Sequence, residues 1–365
     1  MSESFAAGGA AASPGAGAQH PGMQQFGMQQ FGMQRLGTQG RIAVLDARRK
    51  LQLALGVIWL LDGILQYQPS MFGKSFPQML AASAPGNPAV IARPITWSAN
   101  LIDHHLVLLN AVFATIQLAL GLGIAWRPTV KIALAASVAW SVSVWWLGEG
   151  LGGVLAGTAS PVNGAPGAVI LYALLAVLLW PADTDAAAPF VAGRAVGRRA
   201  ARACWLVLWG SLAFFALMPA SRAPQAISGM ISDMAPGEPS WLAWIDDHAA
   251  SALTHQGLAA SIVLAVLLAV VAVGVYLPLR FGRPVIVLAL VVAVVLWLAQ
   301  GLGGIFTGSG TDPDSGPLLA LLALAFWPAM PPPAATPPQP PAATPPQPSA
   351  ATSAQSAPAT AGQGT

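Results

Sequence analysis

Apolar stretches alternate with short polar gaps along this chain, and basic residues fill every second gap. Eight stretches can be read: about 51–67, 105–126, 130–147, 167–181, 203–219, 257–279, 284–299 and 317–329. Roughly 20 apolar residues cross a bilayer as a helix. The second and sixth stretches meet that length easily. The fourth and eighth hold only about 11–15 apolar residues. They must tilt, recruit the Gly and Pro residues before them, or cross partly. Charged residues make up 8% of the chain and hydrophobic ones 55%, against roughly 25% charged in soluble globular chains. So few charges cannot cover a water-facing surface, whereas a lipid-facing one needs none. The expected fold class is an all-α integral membrane protein with eight transmembrane helices. A cytosolic enzyme, a nucleic-acid-binding domain and a disulfide scaffold are excluded. The single cysteine, Cys204, forbids an internal disulfide and any CxxC motif.

The basic residues set the expected orientation. Arg35, Arg41, Arg48, Arg49 and Lys50 precede the first stretch. Arg127 and Lys131 lie between the second and third, and Arg194, Arg198, Arg199 and Arg202 between the fourth and fifth. Arg280 and Arg283 lie between the sixth and seventh. The opposite gaps hold only Lys74, Arg93 and Arg222. Positive-inside bias then places both termini in the cytoplasm of a multi-pass cell-membrane protein. Acids show the reverse asymmetry: Asp103, Glu149, Asp233, Glu238, Asp246, Asp247, Asp312 and Asp314 fall in or beside the outer gaps. That outer face would attract cations and repel anions.

Five regions follow. Residues 1–48 read as a disordered cytoplasmic tail, rich in Gly, Ala, Gln and Met, without the basic start and apolar run of a signal peptide. Its repeat, GMQQFGMQQFGMQRLG, carries Met23, Met28 and Met33, whose thioethers could hold a soft metal such as copper(I). Residues 49–182 form a first four-span unit, 183–202 a basic linker, and 203–329 a second four-span unit. Residues 330–365 form an uncharged Pro-rich tail biased toward polyproline II.

The two units resemble each other. WWLGEGLGG at 145–153 matches LWLAQGLGG at 296–304, and each is followed by a small-residue loop and a short run ending Trp-Pro-Ala. Each unit also has a long outer segment ending in acid and histidine: NLIDHH at Asn100–His105 and WIDDH at Trp244–His248. Four spans return the chain to its starting side, so the units are expected to be parallel repeats. Chance similarity between Ala/Leu/Gly-rich spans is the competing reading.

Three constellations could carry chemistry. Glu149 with Gly150, Gly152 and Gly153, and Gln300 in the matching place, mark paired Gly-interrupted segments. Such pairs point to a ligand site in transporter folds, while a tight hairpin with close helix packing explains them structurally. Asp62 in WLLDGIL lies roughly 18 Å along its helix from Lys50. A carboxylate at that depth is a functional candidate, or a neutral lock between helices, hydrogen-bonded to Asn110 or Gln117. His104, His105, His248 and His255 stand beside acids. Imidazole with carboxylate suits a transition metal, and His248 and His255 share a face if their segment is helical. Interfacial capping is the plain alternative. The tryptophans near the ends of the stretches, Trp97, Trp126, Trp145, Trp146, Trp180, Trp205, Trp241, Trp244 and Trp327, fit an aromatic belt.

The four-span unit, beginning LGVIWLLDGILQYQPSMF and ending in a short fourth span, resembles the DoxX-like group of bacterial membrane proteins. The resemblance covers 51–181 well and 203–329 loosely. It implies a link to membrane quinones and redox partners. It brings no catalytic residues with it, and the tandem unit and GEGLGG depart from the simple pattern. The sequence thus leaves three functions open. One is binding or transport of a small solute or cation at an outward-facing site, with Asp62 and Glu149 as ligands or proton carriers. Another is a membrane subunit of a quinone-linked oxidoreductase, with quinone or a transition metal as cofactor. The third is a scaffold whose Pro-rich tail docks partners.

Overall fold

The computed structural model describes residues 44–328, which lie within one compact unit. The remaining residues are outside that range. With them fall the expectations for the Met-rich repeat, Met23, Met28, Met33, and the Pro-rich tail. Every regular element among the described residues is helical.

The first helix, α1, covers residues 44–65. Two surface helices follow, α2 (Ser75–Ala82) and α3 (Ala89–His104). Then come α4 (Leu106–Ala125), α5 (Val130–Leu147) and the short α6 (Ala168–Leu178). A linker with α7 (Val191–Val196) leads to α8 (Arg198–Ala216). Three surface helices come next, α9 (Pro219–Arg222), α10 (Ala226–Ser232) and α11 (Ser240–Leu253). The chain closes with α12 (Gly257–Gly274), α13 (Leu279–Ala299) and the short α14 (Ser315–Ala325).

Four segments among the described residues are long and apolar enough to cross a membrane: Leu106–Ala125, Arg127–Leu147, Gly257–Gly274 and Phe281–Ala299. They leave much of their apolar surface uncovered. Val107, Ile132, Val263 and Val295 are 66%, 74%, 60% and 56% exposed. Contiguous apolar surface of that kind belongs against lipid. The chain is a membrane-embedded helical protein. The other stretches give different results. α1 and α8 fall outside this set because their first turns are rich in basic residues, such as Arg48, Arg49 and Lys50, or Arg198, Arg199 and Arg202. α6 and α14 have 11 residues each, roughly 16 Å of helix. They pack on each other in the interior, α6 also against α5 and α14 against α13.

Both ends of the bundle are tied by polar contacts. At the basic end Arg49 donates to Ile124 O at 2.9 Å and to Ala125 O, fastening α1 to the end of α4. Gln52 Nε2 donates to Leu179 O at 2.9 Å, joining α1 to the end of α6. Asp183 lies 3.9 Å from Arg48 and 3.7 Å from Arg194. The opposite end holds the glycine loops and the surface helices. In Gly150–Gly153 and Gly301–Gly304 the backbone takes the same left-handed turn: Leu151 and Leu302 have φ of 57° and 54°, Gly152 and Gly303 of 62° and 71°. A Cβ on Gly152 would strike the Pro166 carbonyl, and one on Gly303 the backbone of Asp312 and Pro313. Both loops therefore press tightly on the chain entering α6 and α14.

The tryptophans divide. Trp97, Trp126, Trp241 and Trp244 are exposed, as a belt requires, but Trp205 is fully buried, with Nε1 donating to Val271 O at 2.8 Å. It belongs to the core between α8 and α12, because Trp205 lies on the face of α8 turned toward that helix.

Candidate functional site

Asp62 stands one turn before the end of α1, is 2% exposed, and its Oδ1 has no hydrogen-bond partner. The helices around it explain its placement. Trp59, one turn earlier, donates from Nε1 to Ser137 Oγ on α5 at 3.0 Å. The Trp59 ring lies 4.2 Å from the ring of Tyr172 on α6. The Tyr172 hydroxyl is buried beside Asp62 and is the polar group that faces its carboxyl. The expected lock between Asp62 and Asn110 does not form. Asn110 is taken by Gln66, donating from Nδ2 to Gln66 O at 2.9 Å while accepting from Gln66 Nε2 on Oδ1. Gln117 Oε1 has no partner and lines the same cavity as Asp62.

Glu149 follows the end of α5. Its Oε1 accepts the Val169 amide at 3.1 Å and so caps α6. Its Oε2 is enclosed without a partner. Nearby, Trp145 Nε1 donates to Pro166 O at 2.6 Å. The second half of the chain supplies two more acids. Asp312 Oδ1 accepts the Asp314 amide at 2.7 Å, and its Oδ2 accepts the Thr311 hydroxyl at 2.9 Å. Asp314 is the N-cap of α14, accepting the Ser315 amide. Two helix N-termini, with their partial positive charge, thus meet the acids from Glu149 and Asp314.

These acids border two cavities. The first, about 210 Å³, is chiefly apolar and is lined by Asp62, Glu149, Asp312 and Gln117 among aromatic side chains. The second, about 510 Å³, is lined by Glu149, Asp312, Asp314, Gly152 and Gly153 with the loops around them. Glu149 and Asp312 line both.

Electrostatics favour the protonated acids. Burial, then the charge of Asp312, pushes the Glu149 carboxyl well above the usual carboxylate range, against the Val169 amide that favours the anion. Burial and the charge of Asp312 raise Asp314 to about 7. Asp312 is raised by burial too. Acids placed this way resist carrying their negative charges together.

The other residues singled out in the sequence fall elsewhere. Gln300 is 3% exposed, donating from Nε2 to Pro161 O at 2.9 Å and accepting from Ser315 Oγ at 3.0 Å. It is a buried brace and lines neither cavity. Gly150 is buried against Ser83 and Asn87 and itself lines neither cavity. The histidines do not converge. His104 and His105 are exposed where α3 meets α4, and His104 Nδ1 pairs with Asn100 O at 2.7 Å. His248 pairs with Trp244 O at 2.7 Å and lies 4.0 Å from its ring. α11 ends at Leu253 and His255 has φ of 64°. The helix stops before the seven-residue spacing can put His248 and His255 on one face. Among the described residues no three or more His, Cys, Asp or Glu side chains are arranged to hold a metal ion.

Asp312, Asp314 and Tyr172 were not singled out as site residues from sequence. Asp312 and Asp314 read as acids of an outer loop, and only the packing of the two halves brings them to Glu149. A second set of neighbouring acids was also hidden: buried Asp246, 1% exposed, stands beside half-buried Glu238, whose Oε1 faces Gly301.

Comparison with protein-family models, curated proteins and solved structures found no match to this chain.

Proposed function

We propose that this protein binds a small cation in its buried carboxyl cluster and passes it across the membrane, with protons exchanging on the same acids. The observation that carries this reading is the position of Glu149 and Asp312 on the walls of both cavities. Carboxyls between an apolar and a polar cavity can hand a charge from one to the other without placing it in lipid. The short helices α6 and α14 strengthen the reading, since interrupted helices facing a midplane site recur in transporters.

In this proposal α1, α4, α5, α6, α8, α12, α13 and α14 all occupy membrane positions, as two parallel four-helix repeats. Several matched pairs support the duplication. Asn87 and Glu238, His104 and His255, and Gly150 and Gly301 stand at one constant interval in the chain. Gly86 and Gly237 have φ of 81° and 87° in the paired PGNP and PGEP turns. At that interval Ala213 stands for Asp62 and Gln300 for Glu149, and counted from the matching Trp180 and Trp327, Leu319 stands for Tyr172. The first repeat keeps Asp62 and Glu149, and the second lends Asp312 and Asp314. The basic residues put both termini in the cytoplasm and the glycine loops outside.

The test is flux in proteoliposomes, read as proton movement with a trapped pH dye while cations are supplied outside. Glu149→Gln and Asp62→Asn should each abolish flux in protein that still purifies as a single species. Flux equal to the parent in both would remove the proposal.

A further inference from the structure

The first cavity has walls unlike those of an alkali-ion site. Hard cations are held by six or so oxygens. Here the wall is mostly apolar, and the carboxyls of Asp62, Glu149 and Asp312 are set into it with Gln117. Trp59, Phe76, Phe113 and Trp140 set four rings among the aliphatic side chains of this wall. Trp59 is fixed by its bond to Ser137, and Phe113 and Trp140 lie 5.5 Å apart at 56°. All three line the cavity with the acids. A proton needs no such volume, and a neutral apolar guest would leave Asp62 and Gln117 unsatisfied. A substituted ammonium ion fits both features. Its alkyl groups pack on the rings, its charge is attracted to their faces, and a carboxylate balances it without demanding a shell of oxygens.

We propose that the cavity lined by Trp59, Phe113, Trp140 and Asp62 takes a small substituted ammonium cation. This inference rests on the reading of the protein as a cation carrier and names the class of cation. Asp62 supplies the counter-charge, Gln117 a polar contact, and Glu149 and Asp312 stand between this cavity and the polar one.

The test is calorimetric titration of the full-length protein in detergent with three probes: choline, its neutral carbon isostere dimethylbutanol, and sodium chloride. Choline should bind, and the isostere at least tenfold more weakly. Trp140→Leu keeps every carboxyl and should weaken choline at least fivefold. Phe113→Leu should do the same, and serves where Trp140→Leu does not yield monodisperse protein. Asp62→Asn should weaken choline at least tenfold. Equal affinity for choline and the isostere overturns the inference, as does unchanged choline affinity in the aromatic variants. Sodium binding without choline binding overturns the ammonium assignment and leaves the cation site standing. No binding of either ion overturns both.

Discussion

Glu149 Oε1 accepts the amide of Val169 at 3.1 Å, so a carboxylate at the end of α5 caps the short helix α6. One side chain therefore holds a structural bond on Oε1 and an enclosed, unpartnered oxygen, Oε2, while the residue lines both cavities. Substitution can separate the two roles. Glu149→Gln keeps an oxygen for the Val169 amide and should cost less than about 1 kcal/mol, whereas Glu149→Ala loses the cap and should cost about 1–2 kcal/mol. Both should lose cation binding. Thermal unfolding in detergent, set beside the titration, checks the split.

The glycine loops make a sharper stability prediction. Gly152 has φ of 62°, and a Cβ there would run into the Pro166 carbonyl. Gly152→Ala combines a left-handed alanine with overpacking against backbone and should cost about 2–5 kcal/mol. Gly303→Ala should behave alike, since its φ is 71° and the backbone of Asp312 and Pro313 occupies the space. Gly229→Ala in α10 is the contrast. Nothing lies within 4 Å of its added Cβ, so the helix should gain about 0.5–1 kcal/mol. Ranked melting temperatures of the three variants decide it.

Acid should stabilise this protein. Burial, then Asp246, raises Glu238 to about 7. The ordinary value for an unfolded Glu is about 4.3. A carboxyl raised in the folded state holds its proton better there, so its contribution is complete at low pH and fades as pH climbs through about 7. Asp314, also raised to about 7, acts in the same sense. Melting at pH 5 should exceed melting at pH 8. Glu238→Asn, which copies Asn87 in the paired turn, should shrink that difference by raising the value at pH 8. A steeper difference in the variant would contradict the assignment.

At the basic end, Arg48 and Arg194 are 5% and 7% exposed and share the carboxylate of Asp183. Asp183→Asn takes the shared carboxylate from two buried guanidinium groups, of which Arg194 keeps its Nε bond to Ala188 O at 3.2 Å. Breaking a buried pair costs about 3–5 kcal/mol, and this variant should fall in that range. Lys50 with Asp46, exposed at 74% and 60%, is the control. Asp46→Asn should change melting by less than about 1 kcal/mol.

The sequence was readable where a single element decides the outcome. Apolar runs located α4, α5, α12 and α13, and the LGEGLGG and LAQGLGG strings located loops whose backbones match. Helix ends were less legible. His255 follows the end of α11 because the backbone turns left-handed there, and a seven-residue spacing carries no sign of that. The site was half legible. Asp62 and Glu149 stand out as acids in apolar surroundings. Asp312 and Asp314 resemble ordinary loop acids, and their burial depends on the packing of α14 on α6. Gln300 shows what spacing omits: its place opposite Glu149 is legible, but its bonds to Pro161 and Ser315 are not.

The most direct measurement of the carboxyl cluster is labelling with dicyclohexylcarbodiimide, an apolar reagent that modifies protonated acids away from water. Adducts are mapped by mass spectrometry on full-length protein in membranes, with and without saturating choline. Modification at Asp62 or Glu149, slowed several-fold by choline, is the predicted result. Modification confined to exposed acids such as Asp103, Asp233 and Asp247, with no effect of the cation, would contradict it.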